Sequence, residues 1–391
     1  MPRPPELSAR AVALKPSLTL AIGAQAKALQ RAGRDICSLS AGEPDFDTPD
    51  FIVEATRQAL RDGITRYGPA AGDPELREAV AEKLSSGNGI ATSPEQVLIT
   101  NGGKQAIYNL FQVLLNPGDE VLLPAPYWLS YPEMAALAGA KVKLIPTQAG
   151  EGFRLDLTAV EAAISPRSRL LVLNSPGNPT GRVMKRQELE DVAELVRRHP
   201  QLLVMSDEIY EFLLAEGEQH HSFAAIAPDL ADRCFTVNGF AKGWAMTGWR
   251  LGYLAGHQDV IKAAAALQSQ STSNVCSFAQ RGALAAIQGP RDCVSAMAES
   301  YNRRRQLLTE GLQAIEGITL VEPRGAFYAF PQLPESAGGS MDFCRRALEQ
   351  AGLAVVPGLA FGNDRCIRLS CAVSRDCLLY TSPSPRDPWK S

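Results

Sequence analysis

Short apolar, β-rich runs alternate with helix-patterned segments between residues 49 and 289, and this alternation constrains the fold more than any other feature. Runs at 96–100, 120–123, 141–145, 170–174, 202–206, 234–238 and 252–255 read as strands, each a block of aliphatic residues bounded by turn formers. Segments 49–61, 74–85, 104–115 and 186–198 carry apolar residues at helical spacing, and a long helix is expected at 300–314. Buried strands interleaved with helices predict an α/β chain with a mainly parallel sheet between helices. At 391 residues the chain can build a large domain, expected at 48–289, plus a smaller α/β domain. An N-terminal arm (1–47, with a helix around 21–32) and 290–376 are expected to form that smaller domain, leaving a cleft between the two.

Composition excludes several classes. A formal charge of -3 gives no reason to expect nucleic-acid binding or a polybasic membrane contact. No apolar stretch approaches membrane-spanning length, and the N-terminus lacks the apolar core of a secretion signal, so a cytoplasmic protein is expected. The eight cysteines lack metal-ligand spacing and read as reduced thiols. The four histidines lie in polar, loop-like surroundings, so neither a zinc site nor a Ser-His-Asp triad is expected. Residues 377–391 resemble the in-frame translation of a sequencing adapter, which implies a non-native tail and a missing C-terminal helix. A natural Ser/Pro-rich disordered tail is the alternative.

Several segments converge on one chemistry. Lys242 stands among small and apolar residues with Arg250 eight positions on, in Ala241-Lys242-Gly243-Trp244-Ala245-Met246-Thr247-Gly248-Trp249-Arg250. An amine there can condense with an aldehyde as a Schiff base, and a guanidinium can grip a phosphate. Asp207 follows a buried strand and can pair with a protonated pyridine nitrogen; its other reading is the N-cap of a helix starting at Glu208. Gly102 and Gly103 lie between a strand and a helix, where backbone N–H groups can approach a phosphate. Trp128 follows another strand and can stack on a flat ring or simply fill the core. Asn178, in the rigid Asn174-Ser175-Pro176-Gly177-Asn178-Pro179-Thr180-Gly181 loop, could donate to a phenolate oxygen, helped by Tyr210. Lys242 alone could be a snorkelling surface lysine. Jointly, these residues describe a site for pyridoxal 5′-phosphate.

With these motifs the chain resembles the class I aminotransferases of the fold-type I pyridoxal phosphate enzymes, in the bacterial-type aspartate aminotransferase branch. The resemblance rests on Gly42-Glu43-Pro44-Asp45-Phe46, Ser175 to Gly181, Ser206 to Glu211, Lys242 to Tyr253, Val356-Pro357-Gly358 and Arg368-Leu369-Ser370. It implies a seven-stranded sheet and a homodimer with shared active sites. Lys242 would be the Schiff-base lysine and Asp207 the pyridine partner, with Tyr210 and Asn178 on the phenolate and Trp128 on the ring. Arg250 with Gly102, Gly103 and Lys104 would hold the phosphate, and Tyr67 would reach the neighbouring subunit's cofactor. Arg368, Gly42, Trp128 and Asn178 would hold the substrate, no metal being involved. Lys104 and Thr19, within Lys15-Pro16-Ser17-Leu18-Thr19, would meet a distal carboxylate, although either can also be an ordinary helix-start residue. One departure is Ala241, where many relatives carry Ser.

The implied reaction moves an amino group between an L-amino acid, aspartate or glutamate, and a 2-oxo acid by a ping-pong route. Prephenate or aromatic substrates and a carbon–sulfur β-lyase are the alternatives. A non-catalytic sensor domain lacks support, because no helix-turn-helix or basic arm is visible.

Overall fold

All seven expected strands form, and they join a single sheet. The structure is a computed structural model that describes residues 6–14, 16 and 18–379. The strands are β1 (Val97–Thr100), β2 (Glu120–Ala125), β3 (Lys141–Pro146), β4 (Ser168–Asn174), β5 (Leu203–Asp207), β6 (Cys234–Gly239) and β7 (Gly252–Ala255). Their order across the sheet is β1-β7-β6-β5-β4-β2-β3. Pairing is parallel from β6 through β3, whereas β7 runs antiparallel to both β1 and β6. The sheet is therefore mainly parallel, as the alternation requires.

Apart from the edge strand β3, both faces of the sheet are buried, which explains the uninterrupted apolar runs. Side chains alternate between two cores: Val97, Ile99, Leu171, Leu173 and Val204 face one, and Leu98, Leu170, Val172, Leu203 and Met205 face the other. Local signals set the helix ends. In the helix Pro74–Asn88, Asp73 accepts the Glu75 N–H at 3.0 Å, Pro74 opens the first turn, and left-handed Gly89 closes the last.

That helix also carries Lys83, whose amine is buried against the Glu211 carboxylate and 3.3 Å from the Tyr253 hydroxyl. Burial pushes Glu211 up, but Lys83, His220 and the Asn88 amide outweigh it and hold the carboxyl below its ordinary value. Lys83→Met is expected to cost about 3–5 kcal/mol in urea unfolding, because it strands a buried charge. Adding Glu211→Leu should recover most of that loss. A single-variant loss below about 1 kcal/mol would contradict the assignment.

Smaller sheets lie beyond the seven strands. Cys37–Ser38 pairs in parallel with Leu353–Ala354, and Ile367–Ser370 lies between Val356–Pro357 and Tyr328–Ala329 in an antiparallel trio. A core of Leu39, Tyr301, Phe327, Tyr328 and Leu369 underlies them. The N-terminal helix spans Leu18–Arg31, and the long helix spans Asp292–Gln313, starting eight residues before its expected onset at 300. Its missed first turns bury only Val294 and Met297, too few apolar positions to mark a helical period. No described helix is long and apolar enough to cross a membrane.

Two further observations bear on the chain's ends. Cys37 and Cys377 form a disulfide, which corrects the expectation of wholly reduced thiols for that pair; the two lie 340 positions apart, a proximity no local pattern reveals. Residues 377–379, assigned from sequence to the adapter-like tail, complete the helix Arg375–Leu379, with Leu378 in the core beside Tyr301 and Leu369. The remainder of that tail, 380–391, lies outside the described residues.

Candidate active site

The carboxyl ends of β4 and β5 bring the chemistry together. Their register sets Asn174 beside Asp207, and the Asn174 amide donates to the Asp207 backbone carbonyl at 3.0 Å. The Asn174 side-chain oxygen in turn accepts the Asn178 N–H at 2.9 Å, which pins the loop Ser175 to Gly181. This loop holds cis peptide bonds at Ser175-Pro176 and Asn178-Pro179. The segment after Asp207 is a turn, so the helix-cap reading of that residue is excluded.

The resulting cleft encloses a cavity of about 1020 Å³. Lys242, Asp207, Tyr210, Asn178, Trp128, Arg250 and Arg368 line it, as do Gly42, Gly102, Gly103, Lys104 and Thr19. Tyr67 stands apart: it does not line this cleft, and at 92% exposure it points away from its own chain. Lys15 and Ser17 of the N-terminal motif lie outside the described residues.

Three subsites differ in electrostatics. At the first, the Lys242 amine donates to the Gly42 carbonyl and sits 5.8 Å from the centre of the Tyr210 ring. Burial pushes this amine down to about 8; Arg368 and Arg250 lower it further, while Glu43 and Asp207 oppose the shift. The residue as a whole keeps some solvent access through the cleft. Half of the Lys242 amines should therefore be neutral near pH 8 in the cofactor-free protein. Trinitrobenzenesulfonate labelling followed by peptide mass spectrometry should show a midpoint there, well below the surface lysines; a shared midpoint would refute it.

The second subsite is Asp207, 5% exposed, whose Oδ2 accepts the Tyr131 hydroxyl at 2.7 Å. Burial pushes its carboxyl up to about 6. Tyr210 lies nearby, with its hydroxyl 2.9 Å from that of Tyr328.

The third is an anion cradle at the start of the helix Gly103–Leu114. Gly102 has φ +81°, and a Cβ there would lie 2.7 Å from the Arg250 guanidinium. Gly252 on β7 is equally constrained, because a Cβ would lie 2.5 Å from the Gly103 nitrogen. The helix start, its free N–H groups and Arg250 thus converge, an arrangement suited to a phosphate. The Lys104 amine lies 5.1 Å over the Trp128 ring.

Arg368 is 3% exposed and carries no salt bridge among the described residues. Its Nη1 donates to Asn178 Oδ1 at 3.1 Å and its Nη2 to the Ser40 carbonyl at 3.0 Å, while Nε has no partner. Tyr328 and Phe361 place their rings 4.4 and 5.0 Å from its guanidinium. A buried cation with an unused donor calls for an anionic ligand.

Sequence reading missed Tyr131 and Tyr328. Tyr131 could have been found from its place three residues after Trp128 at a helix start. Nothing local marks Tyr328. Among the described residues no His/Cys/Asp/Glu cluster could hold a metal ion.

Comparison with known proteins identifies the family and the fold. Residues 34–380 match the family described as "Aminotransferase class I and II". An aspartate/prephenate aminotransferase of Thermus thermophilus is 49% identical over 375 residues, covering 95% of this chain and 96% of that protein. A bifunctional aspartate aminotransferase and glutamate/aspartate-prephenate aminotransferase of Petunia hybrida is 48% identical, covering 95% of this chain and 80% of that protein. Among solved structures, aspartate aminotransferase from Thermus thermophilus with maleate superposes with a TM-score of 0.93 at 47% identity, covering 96% of this chain and 98% of that one.

Proposed function

The chain belongs to the class I and II aminotransferase family, and from that premise we propose that it exchanges the amino group of L-aspartate or L-glutamate for the oxo group of a 2-oxo acid, using pyridoxal 5′-phosphate. The observation that carries this reading is the cleft itself. A buried amine, a buried carboxylate and a glycine–arginine anion cradle are the donor set that this cofactor's aldehyde, ring nitrogen and phosphate require. When bound, the cofactor supplies an aldehyde for amines and a ring that takes up the electrons of a Cα–H bond.

The chain's own residues account for the rest. Lys242 Nζ holds and moves the Cα proton, because its lowered basicity leaves a neutral fraction near physiological pH. Asp207 holds a positive charge at the ring nitrogen, Asn178 and Tyr210 hold the phenolic oxygen, and Trp128 covers the ring. Gly102, Gly103 and Arg250 hold the phosphate, with Lys104 beside them. The free donor of Arg368, with Asn178 and Gly42, takes the α-carboxylate. Lys104 and Thr19 supply contacts for a distal carboxylate, which favours dicarboxylic substrates. Prephenate also carries a distal carboxylate, and relatives are named for it.

We extend the reading to architecture. Residues 48–289 form the cofactor-holding domain, and the described residues before 48 with 290–379 the smaller one, since Leu378 packs in its core. The protein acts in the cytoplasm as a homodimer, with exposed Tyr67 reaching the partner's cleft.

The test is a half-reaction. Protein loaded with pyridoxal 5′-phosphate and given L-aspartate without an oxo acid should release oxaloacetate in one stoichiometric burst. Pyruvate, ammonia and a free thiol released from a cysteine S-conjugate, with no oxaloacetate burst from aspartate, would instead indicate a carbon–sulfur β-lyase. No product from aspartate or glutamate, with turnover of arogenate and oxaloacetate to prephenate and aspartate excluded as well, would overturn the proposal.

A further inference from the structure

We propose that Tyr131 is a positioning residue of this site: its hydroxyl donates to Oδ2 of Asp207, holding that carboxylate ionised and fixed, with Oδ1 left to accept a donor from the cleft. The inference rests on the reading of Asp207 as the ring-nitrogen partner.

Tyr131 is 1% exposed and lies in the first turn of the helix Ser130–Leu137. The 2.7 Å contact is a short, charge-assisted geometry between buried groups. Burial and the neighbouring Asp207 push the phenol well above its ordinary value, so its proton stays in place and the hydroxyl remains a donor. Oδ2 must then accept. Oδ1 accepts the Ile209 backbone N–H at 3.3 Å and retains lone-pair capacity.

The other groups facing Asp207 cannot do this work. Glu208 repels its charge, Tyr210 packs beside it, and Lys242 attracts it without reaching salt-bridge distance among the described residues. Burial opposes ionisation, and Tyr131 is the leading influence that favours it. The same helix start also bears on Trp128, whose ring meets Tyr131 edge-on at 5.3 Å and 83°. One element therefore sets both the ring-covering tryptophan and the donor to Asp207.

Tyr131→Phe keeps the ring and removes only the hydroxyl. In cofactor-free protein labelled with ¹³C at aspartate carboxyls, with Asp207 assigned through Asp207→Asn, its titration midpoint should rise by about one to two pH units. In the loaded enzyme, kcat should fall about 10-fold near pH 6.5 and recover toward pH 9, with KM for L-aspartate within about twofold. In an Asp207→Asn background, Tyr131→Phe should change pyridoxal 5′-phosphate affinity by less than about twofold. An unchanged midpoint, or a loss that multiplies undiminished in that background, overturns the role. Absence of the aspartate half-reaction in wild-type protein would defeat the functional reading separately, while the titration still decides the hydrogen bond's effect.

Discussion

Lys242→Ala is expected to lower transamination by about 10⁴-fold or more, the largest effect of any substitution in this chain. No other amine shares its position: Nζ rests on the Gly42 carbonyl over the Tyr210 ring, and the remaining cations of the cleft are guanidiniums, the Lys104 amine over Trp128, and Lys27 on the N-terminal helix. A guanidinium stays protonated at working pH and cannot serve as the base. The fold should survive, since the substitution removes an amine whose charge is disfavoured by burial rather than one that anchors a core. Stopped-flow measurement of the half-reaction with L-aspartate, alongside pyridoxal 5′-phosphate titration and circular dichroism, separates chemistry from binding and folding. Turnover at the wild-type rate would remove Lys242 from the mechanism.

Asp207→Ala should cost about 10³-fold in turnover and weaken cofactor retention. Opposite charges about 4 Å apart at an effective dielectric near 20 interact by roughly 4 kcal/mol, which corresponds to that factor. The pH dependence has a definite sign. Burial raises the Asp207 carboxyl to about 6, so the charge is present above pH 6 and lost as pH falls through it. Wild-type affinity for pyridoxal 5′-phosphate should therefore drop between pH 7 and 5, and the variant should lack that drop. The same shift makes the ionised carboxylate a burden on the cofactor-free fold: its cost is absent well below pH 6 and complete above it, until a positive partner offsets it. Equilibrium dialysis at several pH values tests the first point. An acid limb identical in both proteins would show that another group governs binding.

The large sheet was legible because its strands are buried on both faces. Leu170 to Leu173 or Leu203 to Met205 must be apolar whichever core each residue meets, so the run itself marks the strand. Elements with one buried stripe were harder. The helix Ser340–Ala351 turns only Ser340, Cys344, Ala347 and Leu348 inward and passed unread. The two-residue strands of the smaller sheets are too short for any period.

The site divides along the same line. Lys242, Asp207, Asn178, Arg250, Gly102 and Gly103 were found from sequence because each belongs to a compact segment whose turn chemistry and spacing are local. Their gathering in one cleft was decided by the sheet, which places β5 beside β4 and inserts β7 antiparallel between β1 and β6. Tyr131 meets Asp207 across 76 positions, and Arg368 meets Asn178 across 190. The exclusion of Tyr67 from its own cleft is likewise a three-dimensional fact. Propensity, capping and turn geometry act over a few residues, so the elements and the chemical groups they carry can be read from local pattern. Strand order and the burial of individual charges depend on contacts between distant segments, and these exist once the chain has folded.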